Sequence, residues 1–506
     1  MLLFCLALLP IGCVLFVLFV LKQSAWRAGM IGCLLTIAVS LFVPVFHLDP
    51  QQLTVPVVKG ALTSTIVAYV ILFGIFLFHL MSEAGVIQSI ASLISQSTRD
   101  PLRQVLILAV AFSPLVESSS GFGIAMVVVA PILIALGFDR FKAVLISLVS
   151  LSAVPWGTLA MGTVIGANLV DMPAQQLGTG SALLSIPTFL YFAFLAVWIA
   201  GGWSGVKSKW GETLVVSGTF GLSVWLINRY VSVELAGVFG SLAALAVEFV
   251  RIRLKPDVLT AVGSVGPSEV SVTIDDERYS TVRTFSPYLF LIGLLLLTRI
   301  VPPIEAWLQS VWVVELPAYR FSFAVLHSPG LYLALTCLFC IVVFKIGKPL
   351  VRKCALQTGK QALPVILSTL FFIDMAEIMT AAGMTELIAN TTAAALGTSF
   401  LILSPVIGGL GGFLTGSNTG SNAMLINLQV LTAQKLGIPP DVIAYGQNTS
   451  SSHLIMASPS RVLLGATVGH VQNRESELLR TTTWIGAGTI SIVIIGVLSL
   501  YVMCCR

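Results

Sequence analysis

Ser113-Pro-Leu-Val-Glu117-Ser-Ser-Ser-Gly121-Phe-Gly123-Ile-Ala-Met-Val-Val-Val-Ala-Pro131 decides the reading of this chain. The stretch is flanked by aliphatic residues on both sides, yet its middle holds a carboxylate, Ser118, Ser119, Ser120 and two glycines. Serine competes for backbone hydrogen bonds and glycine lowers helix stability, so the composition favours unwinding. Unwound backbone at membrane depth survives only where it is buried in protein or lines a polar cavity. The stretch therefore predicts a broken helix at a binding site.

Residues 404–413 repeat the pattern. Ser404-Pro405 leads to Gly412-Phe413 at the spacing that separates Ser113-Pro114 from Gly121-Phe122. A second polar interruption follows, Thr415-Gly-Ser-Asn-Thr-Gly-Ser-Asn422. Upstream, Met81-Ser-Glu-Ala-Gly85 pairs with Met379-Thr-Ala-Ala-Gly383. Paired interruptions in two halves of a membrane protein point to a transporter's substrate site.

The composition sets the class. The 506 residues are 57% hydrophobic and 10% charged, with mean hydropathy +0.98, against about 25% charged in soluble domains. The chain reads as an all-α polytopic membrane protein, embedded in lipid and with no nucleic-acid partner. Its net charge of +5 is then a marker of cytoplasmic loops. Cys337-x-x-Cys340 has metal or redox spacing but lies in an apolar run and reads as packing, so no metal or cofactor is expected. The N-terminus lacks a basic region before its apolar run, so no cleavable signal peptide is expected.

At roughly 20 apolar residues per crossing, the chain predicts about 12–14 transmembrane helices. The first half covers 1–250 with its break at 113–131, and the second covers 285–506 with its break at 404–429. Residues 251–284 form a polar linker between them. If the basic stretches 22–27, 97–103, 251–284 and 345–360 are cytoplasmic, the N-terminus is outside. Span 63–81 then runs inward and span 362–382 outward, so the two repeats are inverted, with broken helices at the midplane.

Ionisable residues within spans are costly and are functional candidates by default. Glu117 is the leading proton-coupling candidate, with Asp374 and Glu377, which share a helix face, as a possible relay. Gly121, Gly123 and Gly416 allow close backbone approach, while Ser118, Ser119, Ser120, Thr415, Ser417, Asn418, Thr419, Ser421 and Asn422 supply uncharged donors. Free N–H groups at helix starts beside the breaks complete a site for a small carboxylate anion. Arg461 is a candidate counter-charge for that anion, Arg299 snorkels toward an interface and His453 reads as structural.

Several of these stretches resemble the bacterial L-lactate permease family. Glu117-Ser-Ser-Ser-Gly-Phe-Gly123 resembles its Glu-Gly-Ala-Ala-Gly-Phe-Gly element, and Phe413-Leu-Thr-Gly-Ser-Asn-Thr-Gly-Ser-Asn-Ala423 its Phe-Leu-Thr-Gly-Ser-Asp-Thr-Ser-Ser-Asn-Ala. Glu234-Leu-Ala-Gly237, Ser286-Pro-Tyr288, Leu297-Thr-Arg299 and Ser458-Pro-Ser460 fall in the family's order. The resemblance implies symport of lactate, L- or D-, and often glycolate, with a proton across the inner membrane. The chain departs from the family at Asn418, where an acid is usual, at Ser118 and Ser119, and at Leu454–Ser460, which lacks the family's lysine. The Ser-Asn-Thr in the second break also resembles sodium-coupled carboxylate transporters, which leaves Na⁺ as the alternative coupling ion. An intramembrane protease pairing a serine with His453 would leave the second break unexplained, and a sensor lacks a signalling domain.

Overall fold

A computed structural model describes residues 2–121, 123–254, 279–319 and 321–504; the greater part of the expected linker 251–284 lies outside the described residues. The described chain is nearly all helix, with one short antiparallel hairpin, Val313–Leu316 paired with Phe321–Ala324, which the sequence reading missed. Eleven of its helical stretches are long and apolar enough to cross a membrane, one of them folded back on itself, and Ile124–Ala135 and Pro329–Val343 are shorter apolar helices.

The path begins with α1 (Leu2–Phe19), α2 (Ala25–Phe42) and α3 (Pro50–Glu83). The last extends well beyond the expected 63–81 because Asp49 and Gln52 form a reciprocal capping box and Pro50 opens the first turn. It ends where Gly85 turns left-handed, at φ 80°. After the amphipathic α4 (Val86–Ser97) come α5 (Pro101–Leu106), a π-turn and α6 (Ser113–Ser120), then the return arm α7 (Ile124–Ala135). An interrupted crossing follows: α8 (Arg140–Val149), a 3-10 turn at Leu151–Trp156, and α9 (Gly157–Leu169). Helix α10 (Ala174–Tyr230) doubles back at Gly202, so Phe189 stacks edge-on against Phe220 and Gln175 donates to the carbonyl of Arg229. Helix α11 (Val233–Leu254) ends the first part.

The second part opens with α12 (Thr281–Ile300), α13 (Pro302–Ser310) and α14 (Pro329–Val343). Helix α15 (Lys348–Ala381) absorbs most of the basic stretch expected as a loop at 345–360, because Lys, Arg, Leu, Ala and Gln are good helix formers and Pro349 falls in the first turn, where proline is tolerated. It ends at Gly383, again left-handed at φ 75°. Then come α16 (Met384–Leu396), α17 (Phe400–Thr415), α18 (Asn418–Leu436), a second interrupted crossing of α19 (Pro440–Leu454) and α20 (Pro459–Val468), and α21 (Glu475–Cys504).

The two 34-residue helices α3 and α15 occupy equivalent places in the order and pack antiparallel. Lys59 at the start of α3 pairs with Glu377 near the end of α15 at 2.8 Å, and Glu83 at the end of α3 pairs with Lys353 near the start of α15 at 2.8 Å. Corresponding helices running in opposite directions are what inverted repeats require.

The inversion gives the breaks their form. Arg103, at the entry of α5, bonds Glu212 beside the Gly202 turn of α10, on the same face of the molecule as Lys209 and Arg251. The return arm α7 leads back to that face, since the start of α8 lies beside the end of α20 and Phe141 sits 3.8 Å under the Arg474 guanidinium. Residues 101–135 therefore form a helical hairpin whose arms both open on that face and whose tip is buried inside the bundle. Residues 400–436 form its counterpart from the other face, where Tyr445 of α19 packs on Gly180 near the start of α10. The first break is thus a hairpin tip, while the crossing helices that break are α8–α9 and α19–α20.

Candidate functional site

The two tips meet. A cavity of about 40 Å³ lies between them, and its walls include Glu117 and Gly121 from the first tip and Gly416 to Thr419 from the second. The interrupted crossings supply the remainder, Val154, Gly157, Thr158 and Gly162 from one and Ile455 and Arg461 from the other. Four interruptions distant in sequence converge on one polar volume inside an apolar bundle.

Each tip turns on left-handed glycine. Gly121 has φ 64°, Gly123 has φ 73° and Gly416 has φ 62°. These angles cost an L-residue roughly 1–2 kcal/mol each. Space is also short: a Cβ on Gly121 would lie 2.0 Å from Thr158 Oγ1, and one on Gly416 would lie 2.7 Å from Ser460 Oγ. In the first interrupted crossing, Thr158, Leu159 and Ala160 all hold positive φ, at 37°, 47° and 66°. Three such residues in succession store strain, which concentrates at functional sites.

Both charges of the cavity lie beside Gly123. Glu117 is 2% exposed, and its Oε1 accepts from the Gly123 N–H at 3.3 Å. Arg461 sits just inside α20, whose start is capped by the Ser458 side chain. Its side chain lies against Gly123, and its Nη2 donates to the Gly416 carbonyl at 3.1 Å. Glu117 and Arg461 attract one another electrostatically. The start of α18 also points its first turn at the cavity: Ser417 caps it by accepting from Gly420 N, and Asn418 and Thr419 line the wall. A helix start carries partial positive charge and free N–H groups, which suit an anion.

The expected residues divide into four groups. Glu117, Gly121, Gly416, Ser417, Asn418, Thr419 and Arg461 line the cavity. Ser118, Ser119 and Ser120 stand behind it, with hydroxyls donated back to the helix carbonyls of Pro114, Leu115 and Val116, because a serine in an intact helical turn bonds its own backbone. Gly123 supports Arg461, Thr415 bonds the Gly411 and Ser417 carbonyls, and Ser421 and Asn422 belong to a buried amide cluster with Gln447 and Asn448. Asp374 and Glu377 lie elsewhere, facing α3: Glu377 pairs with Lys59, and Asp374 presses on Gly60.

Sequence reading missed Gly157, Thr158 and Gly162. The signal was Pro155-Trp-Gly157 inside an apolar span, in the place that Ser458-Pro-Ser460 occupies in the other repeat. Gly162 admits Asn418, whose Nδ2 would lie 2.6 Å from a Cβ there.

Comparison with known proteins agrees with this architecture. Residues 3–319 and 308–504 match the L-lactate permease family. An L-lactate permease of Salmonella typhi is 28% identical over 94% of this chain and 92% of its own length. The glycolate permease GlcA of Escherichia coli K12 is 25% identical over 94% of this chain and 91% of its own. In fold, the chain resembles the YdaH transporter of Alcanivorax borkumensis, with a TM-score of 0.52 and 16% identity over 95% of this chain and 98% of that one. With residues 3–504 matched and many helices apolar enough to cross a membrane, this multi-pass membrane protein belongs to the L-lactate permease family.

Proposed function

We propose that the chain is a secondary transporter that carries L-lactate, with D-lactate or glycolate as further substrates, together with a proton across the bacterial inner membrane. The observation that carries this reading is the joint lining of one small cavity by Glu117, Arg461 and the start of α18. Two halves, 1–250 and 285–506, provide the walls, and alternating access arises from their relative motion around the tips.

Charge balance supplies the coupling. Glu117 and Arg461 neutralise one another when no substrate is bound. A carboxylate that enters and engages Arg461 adds a negative charge in a setting where an uncompensated ion costs several kcal/mol. Protonation of Glu117 restores neutrality. The anion and the proton therefore bind together and leave together, and either one alone leaves a charged, immobile carrier. In this account Ser417, Thr419 and the N–H groups of α18 orient the carboxylate, and Glu117 holds the proton.

Uptake of radiolabelled L-lactate into proteoliposomes tests the reading. An inward proton gradient should drive accumulation, a sodium gradient should not, and unlabelled glycolate should compete. Accumulation that follows sodium and ignores the proton gradient would overturn the coupling; no lactate flux under either would overturn the substrate.

A further inference from the structure

Setting Arg461 aside, Glu117 Oε2, Thr158 Oγ1 and Asn418 Oδ1 on residues lining the cavity have no hydrogen-bond partner among the described residues. Their residues are 2%, 1% and 5% exposed. Buried polar atoms left unpaired are costly, and three around one cavity mark groups held for a ligand. Glu117 is accounted for by the proton. Thr158 and Asn418 are not.

The direction of the Asn418 carbonyl follows from the amide cluster behind it. Asn422 Nδ2 donates to the Gly162 carbonyl at 3.0 Å, and a backbone carbonyl only accepts, so the Asn422 amide is oriented. That same Nδ2 donates to Asn448 Oδ1 at 2.8 Å, which orients Asn448 in turn. Asn448 Nδ2 then reaches Thr163 Oγ1 at 3.1 Å and Ser181 Oγ at 2.9 Å. Asn418 must therefore turn its Nδ2 to Asn448 Oδ1, at 2.9 Å, which leaves its carbonyl oxygen as a fixed acceptor.

Thr158 is held from the other side. Its methyl group packs toward Gly74, where a Cβ would lie 2.9 Å from it, and its hydroxyl faces Gly121 of the first tip. The left-handed backbone at Thr158 sets this orientation. A threonine hydroxyl donates as well as accepts, whereas the Asn418 carbonyl only accepts. A substrate group that satisfies both must donate to the Asn418 carbonyl, and it can accept from the Thr158 hydroxyl. An alcohol does this, a ketone only accepts, and a methylene does neither.

We infer that Thr158 and Asn418 read the 2-hydroxyl of a 2-hydroxymonocarboxylate and set its preference over the 2-oxo acid and the unsubstituted acid of the same length. The inference rests on the monocarboxylate site proposed above and adds the pair that selects within that class. A site built to bond a substrate hydroxyl rejects the analogue that lacks it far more strongly than an apolar pocket rejects a change in size.

The test is competition by propionate and pyruvate against labelled L-lactate in proteoliposomes holding the full chain. In the wild type, both should compete at least about tenfold more weakly than unlabelled lactate. Thr158→Val keeps the branched shape and removes the hydroxyl. It should weaken lactate, leave propionate nearly unchanged and so collapse the ratio, whereas Thr158→Ser should keep it. If Thr158→Val does not reach the membrane, Asn418→Ser, which removes the amide carbonyl, should collapse the same ratio. Equal weakening of all three acids by Thr158→Val, an unchanged ratio in Asn418→Ser, or a wild type indifferent to the hydroxyl would overturn the inference while the lactate site stands. A wild type that carries no lactate would remove both.

Discussion

Arg461 Nη2 donates to the Gly416 carbonyl at 3.1 Å while the same side chain lies against Gly123. One residue of an interrupted crossing thus touches the tips of both hairpins. It is placed to report on substrate and tips together. Arg461→Gln should reach the membrane yet lose lactate affinity by about 100-fold, because truncating one partner of a desolvated charge pair costs about 2–5 kcal/mol. Arg461→Lys should recover part of that loss, since it restores charge without the planar fork. The half-saturating lactate concentration for counterflow measures both.

Gly416 has φ 62° and no room for a Cβ beside Ser460. Gly416→Val adds a β-branched side chain at a left-handed position, at a cost of roughly 1–2 kcal/mol in backbone strain alone. Uptake should stop while the protein remains inserted and monodisperse in detergent. Normal kinetics in a well-expressed variant would make the tip a packing feature only.

Much of the cavity's lining was legible before the fold. Ser-Pro followed by Gly-Phe in two places located both tips, and isolated charges in apolar runs located Glu117 and Arg461. What could not be read was which way the chain went after each break, because a hairpin and an interrupted crossing share the same composition. Thr158 was hidden for a related reason. Its role comes from a left-handed run whose only sequence trace is Pro155-Trp-Gly157. The serines at 118–120 were expected as donors to substrate, and in the structure each hydroxyl donates to a carbonyl of its own helix, a choice their composition does not reveal. The length of α15 was equally opaque: lysine and arginine mark a membrane edge in sequence but are good helix formers, and here the helix continues through them.

Asp374 and Glu377 face α3 and not the cavity. Asp374→Asn and Glu377→Gln should both retain proton-driven lactate accumulation within about threefold of wild type. The Lys59–Glu377 pair is partly exposed, so its loss should change stability by at most about 1 kcal/mol. Thermal unfolding in detergent together with uptake checks this; loss of gradient-driven uptake with exchange intact in either variant would move the proton site to α15.

The face that holds Arg103, Lys209, Arg251 and Lys353 should be cytoplasmic, because it carries the dense basic residues. The hairpin around Glu315 and Ser322 should then be outside. In a cysteine-free background, a cysteine at 207 should resist an impermeant maleimide added to whole cells, and a cysteine at 315 should react. The reverse pattern would invert the topology without altering the fold.

Glu117 is the carboxylate in the cavity, and the account makes its neutralisation the coupling step. The most direct test is lactate accumulation against its gradient in proteoliposomes, driven by an imposed pH difference, with Glu117→Gln compared with wild type. Glutamine keeps the shape and fixes the neutral state. The account predicts that Glu117→Gln abolishes pH-driven accumulation while lactate–lactate exchange continues, because a loaded carrier needs no change of charge. Full pH-driven accumulation by Glu117→Gln would contradict it.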